Sequence, residues 1–101
     1  MQSSYVVVWR EGTLPIASGK LELHADALHL DGMAGGRPVS RDLAYDSLVT
    51  VRVGRSAAER ISGRPSLVLE RRKRPPIAIA SISEPGVVAE LAERLAVSGR
   101  A

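Results

Sequence analysis

Cysteine and phenylalanine are both missing from the 101 residues, and aromatic side chains make up only 3% of the chain. Without cysteine there can be no disulfide, no thiol nucleophile and no thiolate metal site. Only Tyr5, Trp9 and Tyr45 are available to stack bases, so the aromatic platforms that hold single-stranded nucleic acid are lacking and nucleic acid is not an expected partner. Long apolar runs are missing too. The one near the N-terminus, Tyr5 to Trp9, is far too short for a signal peptide or a membrane span. The expectation is a soluble, cytoplasmic protein of one domain, residues 1–101, because this length supports one core but not two.

Catalytic signatures are equally scarce. No Gly-x-Ser-x-Gly elbow occurs, and neither histidine has an evident serine and carboxylate partnership, so no catalytic residue is assigned and enzymatic activity is not expected. His24 and His29 flank a turn with Asp26 and Asp31 nearby, and imidazole with carboxylate can ligate zinc. The spacing guarantees little fixed geometry, so two exposed histidines on a hairpin are expected and no metal ligand is assigned. Asp42 and Asp46 read as charge at a sheet corner rather than an acid–base pair. The glycine-rich stretch Asp31-Gly32 through Gly35-Gly36 lacks the lysine and helix of a phosphate-cradling loop and reads as a flexible turn. No cofactor is implied.

Charge is present but uneven. The chain carries a formal +3, yet Arg52 to Arg74 holds eight basic residues against two acidic ones, a net +6, and the remainder sums to −3. The block is a candidate surface for an acidic partner or an anionic membrane; a merely solvated basic face is the plainer explanation. Within it, Arg71-Arg72-Lys73-Arg74 stands out as four consecutive cations at the tip of a hairpin, with Arg64 and Arg55 able to add to the same field. These six are the candidate anion- or partner-binding residues. A charged tip can also serve only to blunt an exposed sheet edge.

Most of the chain alternates with period two. Tyr5 to Trp9 reads as a first strand. The link from Pro15 to Gly19 is either a loop or an extended segment kept at a sheet edge by the proline. Lys20 to His24 and Leu28 to Leu30 form a hairpin with Leu21, Leu23, Leu28 and Leu30 inward. Val39 to Ala44 and Leu48 to Val53 add two strands joined at Tyr45-Asp46-Ser47. Gly54 to Arg64 shows no apolar period and reads as an exposed basic loop with one helical turn at Ala57 to Arg60. Ser66 to Arg71 and Ile77 to Ser81 close the series, with Leu67, Leu69, Ile77 and Ile79 inward and Lys73-Arg74-Pro75-Pro76 at the tip. All strands fall within 4–82.

A single helix follows, at about 84–97. Val87, Val88, Leu91 and Leu95, with Ala92 between them, recur at the spacing of one helix face, and Glu90, Glu93 and Arg94 fall on the other. Ser83 is the expected N-cap, Glu84 suits the positive end of the dipole, and Pro85 fits the first turn, where no N–H is needed. Gly99 marks the stop.

Seven short strands followed by one amphipathic helix is the order of the pleckstrin-homology (PH)-like superfold. The stretch from Gly19-Lys20-Leu21-Glu22-Leu23 to Leu28-His29-Leu30-Asp31-Gly32 resembles the early hairpin of bacterial PH-like and GRAM-like domains, and Leu43-Ala44-Tyr45-Asp46-Ser47-Leu48 resembles their passage between sheets. The resemblance implies a mainly β (α+β) fold: a partly open barrel of two near-orthogonal antiparallel sheets, capped by the helix. It implies no catalytic residue. Phosphoinositide-binding PH domains carry a lysine and a Lys/Arg-x-Arg cluster across their first two strands, whereas this chain offers Arg10 and Lys20 followed by Leu21-Glu22-Leu23. The tryptophan common in the PH terminal helix is also absent, leaving Leu91 and Leu95 to fill its space.

The function expected from these features is a non-catalytic binding module, acting through protein–protein contact or self-association at open sheet edges. The alternative is a peripheral binder of anionic lipid head groups through the basic tip, and an enzyme acting on a small ligand is the remotest.

Overall fold

Side-chain alternation decides which face of each strand turns inward, and the computed structural model, which describes residues 4–81 and 86–99, follows that alternation closely. The strands are β1 (Ser4–Glu11), β2 (Ala17–Leu23), β3 (Ala27–Ala34), β4 (Arg37–Ala44), β5 (Leu48–Gly54), β6 (Ser66–Arg71) and β7 (Arg74–Ala80). Helix α1 spans Val87–Gly99. The expected cap at Ser83, with Glu84 and Pro85, lies outside the described residues.

β1 to β4 form one antiparallel meander and β5 to β7 a second. The two join where β1 pairs with β7, from Val8 opposite Ala80 to Glu11 opposite Ile77. The result is one seven-stranded sheet in the order β4-β3-β2-β1-β7-β6-β5, curled into a half-barrel whose end strands are β4 and β5. The link between those end strands is a 3₁₀ turn at Tyr45–Ser47, the stretch expected to pass between sheets. Tyr45 anchors it: its N–H donates to Asp26 O at 3.0 Å and its hydroxyl to His24 O at 2.7 Å.

Leu21, Leu28, Leu30, Leu67, Leu69, Ile77 and Ile79 are fully buried, as their phase requires, and Leu23 is half-buried. Val87, Val88, Leu91 and Leu95 of α1 join the same core, and the helix packs chiefly on β5, β6 and the 3₁₀ turn. Its polar side is also engaged. The Tyr5 hydroxyl donates to Glu90 Oε2 at 2.7 Å and accepts from Arg94 Nη1 at 2.5 Å.

Several expectations need correction. β2 begins at Ala17 and lies between β1 and β3, so the segment after Pro15 is not at a sheet edge. Asp31 and Gly32 belong to β3, and the turn is confined to Gly35-Gly36, both at positive φ. Arg74, Pro75 and Pro76 start β7 instead of forming the tip. They are tolerated because the β6–β7 ladder is irregular there and asks nothing of a missing N–H. Their carbonyls are used: Pro76 O accepts from the Gly12 N–H at 2.9 Å.

The Gly54 to Arg64 segment does contain a helical turn, at Ala57–Glu59, but it is not wholly exposed. Ile61 is 1% exposed and packs on Val8 and Ala80. Those two residues face each other across the β1–β7 seam on its outer side, and a single isoleucine from the loop covers them. Reciprocal backbone bonds between Ile61 and Arg64, and Ser66 Oγ donating to Glu59 O at 2.6 Å, hold it in place.

Gly19 and Gly32 sit opposite each other in β2 and β3. A Cβ on Gly19 would lie 2.0 Å from Asp31 O, and one on Gly32 would lie 2.3 Å from Ser18 O. Both obstacles are backbone, so neither can rotate away. Gly32→Ala should therefore cost about 1–3 kcal/mol as an overpacking change, read as a lowered denaturation midpoint at unchanged m-value. An unshifted midpoint would show that the strands separate freely here.

Candidate functional site

Three charged residues occupy the inward phase of their strands. Glu11 follows Tyr5, Val7 and Trp9 in β1; Arg41 lies between Val39 and Leu43 in β4; Arg71 follows Leu67 and Leu69 in β6. Inward charge in a curled sheet must find a partner, and these three find one another. Arg71 Nη2 donates to Glu11 Oε2 at 2.6 Å and Arg41 Nε to Glu11 Oε1 at 2.8 Å. The Arg71 side chain is only 6% exposed and that of Glu11 only 10%. Arg71 also donates from Nε and Nη2 to Pro75 O at 3.1 and 2.7 Å. Burial pushes the Glu11 carboxyl up, but its bonds to the two guanidinium groups outweigh that and hold it below the usual glutamate range.

The six candidate cations are thus divided. Arg71 turns inward and leaves the turn to Arg72 and Lys73, with Arg74 opening β7; all three are exposed and make no ion pair among the described residues. Lys73 holds the turn at φ 57°. Arg72 and Arg74 line a cleft of about 340 Å³ together with Arg41, Asp42 and Ser47, between β4 and the β6–β7 turn. Arg55 and Arg64 line a different cavity, of about 220 Å³, with Val53 and Val88 beside α1. The full length of β6 separates these groups, roughly 20 Å for a strand of this size, so they do not act as one field at close range.

Other basic residues have partners of their own. Arg52 pairs with Glu59 at 2.7 Å and Glu70 at 3.6 Å. Arg10 donates to Ala58 O at 3.1 Å, and Lys20 pairs with Glu22 at 3.3 Å. His29 Nδ1 lies 2.5 Å from Asp42 Oδ1; that hydrogen bond, reinforced by the charges of Asp42, Asp31 and Glu22, raises the imidazole pKa. Asp42 thus serves a histidine rather than Asp46. No group of three or more potential ligands is placed to hold a metal ion among the described residues.

Arg41 and Glu11 were not among the expected site residues. The signal that finds them is a charge in an otherwise apolar phase: Val39-x-Arg41-x-Leu43 and Val7-x-Trp9-x-Glu11.

No protein-family model matches the chain, and no curated protein matches it in sequence. Solved structures do. The chain is similar to the C-terminal domain of an unknown protein from Leishmania infantum, with a TM-score of 0.69 at 12% identity over 97% of this chain and 82% of that one. It is also similar to the Vps36 N-terminal PH domain, with a TM-score of 0.63 at 17% identity, covering 91% of this chain and 78% of that domain. At such identities the likeness shows the fold, which is PH-like.

Proposed function

We propose that the chain is a non-catalytic PH-like binding module that engages a protein partner, a second copy of itself or another chain, along the open β4 edge. In this arrangement the single sheet bends into two near-orthogonal halves that meet at the β1–β7 seam. The observation that carries the proposal is the end strand: among the described residues β4 pairs only with β3, and it borders the cleft lined by Arg41, Arg72 and Arg74. An open edge offers main-chain hydrogen bonds to an added strand. Flanking cations favour an acidic one.

Self-association is the form of this contact that needs no second component, and light scattering from micromolar to millimolar concentration reads it directly. A discrete dimer whose β4 amides gain exchange protection supports edge pairing. A chain that stays monomeric throughout and pulls no acidic segment onto β4 sinks it.

A second function, attachment to anionic lipid, is favoured by the exposure of Arg72, Lys73 and Arg74, which form no ion pair among the described residues. Each such cation near an anionic membrane contributes on the order of 1 kcal/mol, so replacing all three with Gln should lower vesicle affinity by about a hundredfold. The change should leave the melting temperature nearly unaltered, because all three side chains are exposed. Co-sedimentation with phosphatidylserine vesicles at low and high salt is the measurement. Equal binding by parent and variant would assign the tip to solvation alone.

A further inference from the structure

Trp9 is 3% exposed, and its indole Nε1–H is buried with no hydrogen-bond partner among the described residues. Unmet buried donors are uncommon in folded proteins, because each forfeits its hydration for nothing. This one belongs to a residue that borders a cavity of about 230 Å³, formed with Leu14, Ala17, Ala34, Val39 and Arg41. The walls are overwhelmingly apolar. The polar exceptions are the Glu11–Arg41 pair and Arg37, an exposed cation that makes no hydrogen bond or ion pair among the described residues. Glu11 is shared between Arg41 and Arg71, so this side of the cavity carries a surplus of positive charge.

We propose that this cavity is a binding site for a small amphipathic carboxylate. A benzene-sized body fills about 150 Å³, so the space suits an apolar portion of about six to eight carbons. Its negative charge is matched by Arg37 and the surplus of the Glu11–Arg41–Arg71 group. The site lies on the inward side of β4 and shares Arg41 with the cleft at its edge, but it needs no strand added to that edge. The same chemistry occurs in a free acid and in the apolar C-terminal residue of a peptide.

Trp9 is the only tryptophan in the chain, so its emission reports occupancy of this site alone. The full chain would be titrated with sodium octanoate, with 1-octanol, and with a leucine-ended peptide carrying either a free or an amidated C-terminus. A saturable change in Trp9 emission is expected with octanoate, at least about tenfold tighter than with octanol, as a charge-assisted hydrogen bond implies. Arg37→Gln, at an exposed position, should erase most of that preference while the fold is retained, and Ala34→Leu should fill the cavity and abolish binding. Discrimination between the free and amidated peptide, with tighter binding than octanoate, would assign the source to a chain terminus; the reverse order would assign it to a free acid. No saturable change with octanoate or the free peptide, equal affinity for octanol, or a folded Arg37→Gln variant with the full preference would overturn the proposal.

Discussion

Glu11→Leu should remove about 3–5 kcal/mol of stability, the range for breaking a buried pair from one side. Arg41 is 36% exposed and can turn to solvent; Arg71, at 6%, cannot. The substitution therefore strands one guanidinium in the barrel with only Pro75 O to hold it. Adding Arg71→Met to the same chain should recover much of the loss, because two apolar side chains of similar volume replace the pair without an orphaned charge. Chemical denaturation of the parent, both single variants and the double variant gives the coupling directly. Strict additivity would mean that the two residues do not interact.

The pair also sets an acid limit. Glu11 has its carboxyl pKa lowered from the ordinary 4.5, so its contribution is fully present above that value and is lost as pH falls through the lower folded value. Parent melting temperature should drop on this acid limb, and Glu11→Gln should flatten the drop while starting from a lower plateau.

Leu91→Ala should cost about 2–5 kcal/mol, the range for deleting a fully buried leucine. Leu91 is 0% exposed in the core that α1 completes. Domains of this kind have about 5–15 kcal/mol in total, so the variant should populate unfolded chain at moderate denaturant. Glu93→Ala, on the exposed side of the same helix, serves as the comparison and should stay within about 0.5 kcal/mol. If Leu91→Ala matched it, the helix would not be packed on the sheet.

What could be read from the sequence was whatever rests on one side chain and its phase. Leu21, Leu28, Leu67 and Ile79 alternate cleanly, and all are buried; Leu91 and Leu95 repeat at helical spacing and are buried too. Features that depend on two distant segments were not legible. Ile61 looks like one apolar residue in a polar loop until β1 and β7 bring Val8 and Ala80 beneath it. Arg71 looks like one of four equivalent cations, although its phase with Leu67 and Leu69 already separates it from Arg72. Gly32 looks like part of a flexible loop because glycine signals both turns and close backbone approach, and only its pairing with Gly19 distinguishes the two.

The strand order has a consequence for how the chain folds. Every sheet contact but one joins neighbours in sequence, so each meander can form through short loops. The exception, β1 against β7, brings Trp9 beside Ile79 across some seventy residues. Closing a loop of that length carries an entropy penalty of about 4 kcal/mol beyond the constant for any closure, and no contact along the seam offsets it until closure is nearly complete. Formation of the β1–β7 seam is thus the step expected to limit folding, testable as a folding rate slowed by Val8→Ala or Ala80→Gly. The Glu11–Arg71 pair lies beside that seam and Ile61 covers its outer side, so both hold it shut after it forms and act mainly on how slowly the native chain reopens.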